Sequence, residues 1–322
     1  MADLKQHQRH NPKVQKKPHQ SRNHPLWVKL FAGIVCILLV IIIGLAWNHL
    51  KTPETAQAQR ESQDFTQSSP DIPLYVLVVG VDEQTPSQAN FIGLAAINKE
   101  KKVIDFIMLP DNTKIEGRKE KGNQMLKDIY AEGGLSLTRA VMEDIFKIPV
   151  PYYISFTPST FTRMIDMIGG FDLYVEKPMY HEHADGTVDF NLGQGYQHLT
   201  GAEASGYMRY LDGDGEISRT QRQERFVKAF YEDGIQHFGI TNMFRIYRIW
   251  DYVDSNISSK DMAKLAWTFH NVPVDAIHFY IIPGESGVDT ESKTHNQDLM
   301  WNYDPVEVQK IIGTTNNSIA NE

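Results

Sequence analysis

From Leu30 to Leu50 the chain carries no charged residue, a longer apolar run than any that follows. A helix of about 20 residues spans a hydrocarbon layer of about 30 Å, and Trp27 and Trp47 flank this run as interfacial aromatics do. A buried core helix accounts poorly for such a run behind a basic tail. A cleaved signal peptide has a shorter apolar core and a small-residue exit, whereas this run leaves through Trp47-Asn48-His49-Leu50. The pattern predicts an uncleaved signal-anchor, a transmembrane helix over residues 30–50.

Residues 51–70, rich in Gln, Thr, Ser, Glu and Ala, hold no sustained apolar period and read as a stalk. The folded part is expected over residues 71–322, starting near Ile72. Leu74-Tyr75-Val76-Leu77-Val78-Val79 ends at Gly80 and has the continuous apolar character of a central strand buried on both faces. Residues 91–97 and 103–109 are two more strands, and the polar turn 98–102 between them signals a hairpin. Helical periods cover 123–132, stopping at Gly133-Gly134, and 136–146, stopping before Pro149. Residues 152–156 read as strand, 158–168 as helix ending at Gly169-Gly170, and 171–175 as strand. Thr200 with Glu203 and Ser218 with Gln221 form capping-box patterns, ahead of helices to about Tyr210 and toward Phe238. Ser258 with Asp261 and Asp304-Pro305 open two more helices, and residues 279–282 form a strand. The β-α-β alternation argues for a layered α/β domain rather than a sandwich or a bundle.

Charge divides the chain. Residues 1–29 hold Lys5, Arg9, Lys13, Lys16, Lys17, Arg22 and Lys29 against Asp3, a local net of +6, while the remainder carries −14. A basic flank before the span keeps the N-terminus cytoplasmic and puts the C-terminal body outside, with a disordered tail on anionic lipid heads. An exterior body of −14 is no nucleic-acid binder, because phosphate recognition needs clustered positive charge. Cys36 is the only cysteine, which excludes a disulfide framework and a cysteine zinc site.

Three groups of residues bear on chemistry. Asp82 follows the first strand, where ligands sit in open α/β sheets. It is either a cation ligand beside a phosphate or a turn-forming acid. Leu211-Asp212-Gly213-Asp214-Gly215-Glu216 has neither the glycine nor the twelfth-position acid of a calcium hand; it is either an acidic turn or an active-site loop. Arg209 precedes it, and Arg219, Arg222, Gln223 and Phe226 follow at spacings that share one helix face. Such a face suits a phosphate with an oily tail, or is a solvated face paired with acids such as Glu203 or Glu224. His181-Glu182-His183 is expected in a surface loop, and no nucleophile elbow, Walker A or dinucleotide fingerprint is present.

In order along the chain, Leu77-Val78-Val79-Gly80-Val81-Asp82, Tyr130-Ala131-Glu132-Gly133-Gly134, Ile165-Asp166-Met167-Ile168-Gly169-Gly170-Phe171, Leu199-Thr200-Gly201-Ala202-Glu203-Ala204, Arg209, Gly213-Asp214, Arg219 and Arg222-Gln223 resemble the LytR-CpsA-Psr (LCP) proteins of bacterial envelopes. The resemblance covers residues 74–238. It implies a layered α-β-α exterior domain with a mixed central sheet behind one membrane span, on the Gram-positive cell surface. It also implies transfer of a polyprenyl-pyrophosphate-linked glycopolymer to peptidoglycan by a phosphodiester bond, at the bilayer and with Mg²⁺ or Mn²⁺. By that resemblance Asp82, with Asn90 as a weak second donor, holds the ion. Arg209, Arg219 and Arg222 hold phosphates, Gln223 orients a phosphate oxygen, and Asp214 is a candidate base.

The chain departs from the family pattern at several of these places. The family's Arg-x-Asp-Thr stands as Gln88-Ala89-Asn90-Phe91, its Pro-Arg-Asp-Thr as Pro110-Asp111-Asn112-Thr113, and the second arginine of its Arg-x-Arg pair as Leu211. Loss of one donor from an anion-stabilising site costs about 10² to 10³ in rate. The expectation is a divergent member with slowed transfer, with Lys114 offsetting part of the loss. The alternatives are a non-catalytic lipid-pyrophosphate-binding accessory protein and an unrelated sensor or adhesion domain.

Overall fold

The computed structural model describes residues 72–83, 87–117, 122–213, 215–235, 247–289 and 298–317. The basic tail, the span over 30–50 and the stalk lie outside the described residues. Among the described residues no helix is long and apolar enough to cross a membrane.

Strands β1 (Leu74–Val81), β2 (Ala89–Asn98) and β3 (Val103–Leu109) form an antiparallel meander. The turn at 98–102 closes as expected: the Asn98 side-chain oxygen accepts from the Lys101 N–H at 2.9 Å. Next come β4 (Lys114–Ile115), β5 (Gln124–Met125) and helix α1 (Leu126–Phe146), then β6 (Tyr152–Phe156), helix α2 (Pro158–Ile168) and β7 (Phe171–Val175). The hairpin β8 (Met179–Glu182) and β9 (Val188–Leu192), strand β10 (Gly195–Leu199), helix α3 (Gly201–Arg209) and helix α4 (Gly215–Ala229) complete the site-bearing part. Beyond it lie β11 (Asp254–Ser255), α5 (Ser259–Phe269), β12 (Ile277–Ile281), β13 (Gly284–Val288), β14 (Leu299–Tyr303) and α6 (Pro305–Asn317).

The main sheet has the order β11-β6-β1-β2-β3-β12 and is mixed. The β1–β6 and β3–β12 pairs run parallel and the others antiparallel. Alternation along β1 explains its unbroken apolar character. Leu74 and Val76 enter one core with Ile165 of α2, Tyr207 of α3 and Phe226 of α4. Tyr75, Leu77 and Val79 enter the other with Leu126 and Met142 of α1 and Val308 of α6. Helices therefore cover both faces, the α-β-α layering expected from the sequence.

Local differences from the expectations have physical causes. The first helix starts at Leu126 rather than Asn123, because Gln124–Met125 pair with Lys114–Ile115 and the Asn123 amide donates to Asp289 at 2.6 Å. The break at Gly134 is present (φ 58°, ψ −155°), yet helix resumes at once on its far side. Thr200 and Glu203 do form a capping box, but Ser218 lies inside α4, whose start is set by Gly215 at φ 82°. His181 and Glu182 sit in β8 rather than in a loop.

Candidate functional site

The first strand ends one residue before Asp82. The Asp82 Oδ1 accepts from the Gln88 N–H at 2.8 Å, and the Asp82 N–H donates to the Gln88 carbonyl at 2.9 Å. Asp82 thus closes the excursion that joins β1 to β2. The Gln88 side chain donates to Asp128 of α1 at 3.0 Å, so the position of the family's arginine is occupied by a structural amide.

A cleft opens beside this turn. Its polar wall is Asn90, Ser205, Arg209 and Gln223, and its apolar wall includes Phe91, Phe156, Phe161 and Met208. Ring contacts carry that apolar wall inward, from Phe91 to Phe156 (5.8 Å), Phe156 to Phe161 (5.8 Å) and Phe161 to Phe226 (5.4 Å). The lining sets a polar side against an apolar one.

The four residues expected on one face of α4 do share it. That face is buried, not solvated: Arg219, Arg222, Gln223 and Phe226 are all under 10% exposed. A buried arginine needs a carboxylate or several carbonyls, and each has them. Arg219 is clamped by Asp111 of the loop after β3 and by Glu216 one turn back on α4. Arg222 donates through Nε to Glu176 at 3.2 Å and through Nη1 to the Tyr210 carbonyl, and its guanidinium lies 5.2 Å from the Tyr210 ring centroid. Glu176 also accepts from Arg225 at 2.8 Å and from the Tyr207 hydroxyl at 2.9 Å. Lys177 pairs with Asp212, which stands 3.9 Å from Arg222 Nη2. Arg209, at the end of α3, donates to both oxygens of Asp189 at 3.1 and 3.2 Å. Acid matches base throughout this cluster, so it is neutral when every group is ionised.

Two carboxyls show what this matching does. Burial and the charge of Asp111 push Glu216 up to about 7, with Arg219 pulling it back, and a hydrogen bond between the two carboxyls favours the protonated form. Burial also pushes Glu176 up, but its backbone hydrogen bond and the donors of Tyr207 and Arg225 outweigh that and hold it below the usual carboxylate range.

Gln223 does not offer its amide nitrogen to a ligand. It donates to the Asn90 carbonyl at 2.9 Å and the Met208 carbonyl at 3.3 Å, tying β2 to α3 and α4. Lys114 is drawn away by Asp289 at 2.8 Å and does not offset the lost arginine. Leu211 is half exposed beside the cluster. Asp214 lies outside the described residues. No group of three or more His, Cys, Asp or Glu that could hold a metal ion occurs among the described residues. The sequence reading missed Glu176 and Asp189. Both come from segments distant in sequence from the arginines they hold, and no local motif announces them.

The family described as the LytR_cpsA_psr family matches residues 41–317. A polyisoprenyl-teichoic acid–peptidoglycan teichoic acid transferase TagU of Enterococcus faecalis is 24% identical over 264 residues, covering 76% of this chain and 84% of that protein. A TagU of Bacillus cereus is 24% identical over 244 residues, covering 69% and 77%. Among solved structures, Bacillus subtilis TagV superposes with a TM-score of 0.66 at 18% identity, covering 78% of this chain and 99% of that one. A structure described as TagT bound to LIIa-WTA gives a TM-score of 0.60 at 18% identity, covering 79% and 94%. At these identities the structures establish the fold.

Proposed function

Because the chain belongs to the LytR_cpsA_psr family, we propose that it attaches a polyprenyl-pyrophosphate-linked glycopolymer to peptidoglycan by phosphodiester transfer, at a reduced rate. The observation that carries this reading is the two-sided cleft, where Arg209 faces Phe156, Phe161 and Met208. A pyrophosphate with an isoprenoid stem has the same division. The TagU relatives are named as transferases of this type. Here an acceptor hydroxyl would attack the sugar-side phosphorus, polyprenyl phosphate would leave, and Arg209 would hold a phosphate oxygen as charge builds on the bridging oxygen. Asp214 remains the candidate base. The span over 30–50 would hold the domain outside the cell, close to a substrate that cannot leave the bilayer.

The charge matching supports the reduced rate. Arg209 already shares its charge with Asp189, and Arg219 is already neutralised by Asp111 and Glu216. A divalent ion fits this setting only with help from the ligand. Mg²⁺ takes one or two carboxylates and completes its shell with water and substrate phosphates; Asp82, whose Oδ1 already accepts from the Gln88 N–H, and the neutral Asn90 would be the protein's share of such a shell. Mg²⁺ or Mn²⁺ held there would supply the positive charge that the arginines lack.

A second reading, a non-catalytic protein that binds the lipid pyrophosphate in support of the same step, is favoured by the Asp111–Arg219 pair. The deciding experiment incubates full-length protein in lipid nanodiscs with a polyprenyl-pyrophosphate glycan, peptidoglycan and Mg²⁺ or Mn²⁺. Mass spectrometry then follows the phosphodiester product and released polyprenyl phosphate. Metal-dependent product at a rate about 10² or more below that of an intact family enzyme is expected. Saturable binding without product would select the second reading, and neither binding nor product would overturn both.

A further inference from the structure

Arg209 is the cleft arginine with coordination left to give, and what holds it is not on its own helix alone. Its Nε donates to Ser205 Oγ at 3.3 Å, one turn back on α3. Its Nη2 donates to both oxygens of Asp189, the second residue of β9. None of the hydrogen bonds among the described residues uses Nη1, and the side chain lines the cleft. Two fixed nitrogens leave a planar guanidinium little freedom, so its third is presented in one direction.

The β8–β9 hairpin is built to deliver that carboxylate. Helix α3 meets β9 at Gly206, where a Cβ would lie 2.4 Å from Cγ of the Phe190 ring. Phe190 follows Asp189 directly, so this close approach sets how far Asp189 stands from Arg209. On its other side Asp189 meets the imidazoles of β8 and the turn after it: His181 Nδ1 is 3.0 Å from Oδ2, and His183 Nε2 is 3.9 Å from Oδ1. The His181 ring also stacks on Phe190 at 5.7 Å and 19°. Asp189 is thus pinned from two sides, with its side chain 17% exposed. A surface ion pair without such support contributes little; a pinned carboxylate can orient its partner.

We propose that Asp189 is a positioning residue for phosphate binding: it orients Arg209 so that the remaining edge of the guanidinium meets a pyrophosphate oxygen in the cleft. This makes the β8–β9 hairpin part of the binding machinery, and it rests on the phosphate-binding reading above.

The test uses the full-length protein in detergent micelles with farnesyl pyrophosphate as the probe, read by titration calorimetry. Asp189→Asn is expected to weaken binding about tenfold, and Asp189→Glu to stay within about threefold of the wild type. In an Arg209→Lys background, which has a point charge and no planar fork to orient, Asp189→Asn should add less than about twofold. Unchanged or tighter binding by Asp189→Asn would make the carboxylate a competitor of the phosphate and overturn the proposal. So would a tenfold loss that persists undiminished in the Arg209→Lys background. Spectra of ¹⁵N-arginine-labelled protein give a second readout, with guanidinium rotation of Arg209 slow in the wild type and fast in Asp189→Asn; equal rates would also overturn it. If the wild type shows no saturable binding of the probe, the functional reading falls instead, and the rotation rates still decide the role of Asp189.

Discussion

Asp111 places a carboxylate where the sequence resemblance implies an arginine, and Arg219 pairs with it. Glu216 is left sharing one guanidinium with a second acid. With Glu216 protonated the cluster carries one positive charge more than with it ionised. Binding of farnesyl pyrophosphate is therefore expected to tighten severalfold as the pH falls from about 8 to about 6, and Glu216→Gln should flatten that slope. Calorimetric titrations across the range check both. Stability follows the same group. Its folded pKa, about 7, lies above the ordinary 4.5, so its stabilising contribution is complete below 4.5 and lost as the pH rises through 7. The swing is on the order of 3 kcal/mol. Urea unfolding at pH 8 should find Glu216→Gln more stable than the wild type, and an equal or lower midpoint would contradict the assignment. Arg219, Arg222 and Gln223 were legible as a group because helical spacing is local, and Arg209 stood out by its place just before the acidic loop. Their partners were not, since Asp111, Glu176 and Asp189 reach them from other strands and loops, and nothing in a single sequence records which acid arrives.

At the level of elements, the sequence carried the pieces whose signals are local. Both-face burial made β1 read as an unbroken apolar run, Gly134 marked the break in α1, and Thr200 with Glu203 marked the start of α3. The β8–β9 hairpin escaped because its exposed face is polar and its strands are short. The start of α4 was misread because a positive-φ glycine, Gly215, set it in place of the Ser218 pattern. The contact between α3 and β9 was invisible for a related reason: Gly206 has value there only for what it lacks. Gly206→Ala is expected to destabilise the domain by about 1–3 kcal/mol, through overpacking against Phe190, and to weaken farnesyl pyrophosphate binding by shifting Arg209 relative to Asp189. Chemical denaturation and the binding titration check the two effects, and a change below about 0.5 kcal/mol would mean that helix and hairpin do not press on each other there.

For the whole molecule, the mixed sheet has one pairing with an unusual history. Strand β3 is complete once Leu109 has been made, but its parallel neighbour β12 begins at Ile277. At about 5–20 residues per second, the open edge of β3 waits on the order of ten seconds or more for a partner. That edge ends in Phe106, Ile107, Met108 and Leu109, all buried in the finished fold, and an unpaired apolar edge is a template for association with other chains. Biogenesis of this protein is accordingly a race between the arrival of its own late strand and capture by a neighbour, and a holding chaperone on the side where the domain folds would decide it. A chain ending before β12 should collect in aggregates, and supplying the late segment in trans, as a peptide covering residues 271–317, should recover soluble domain.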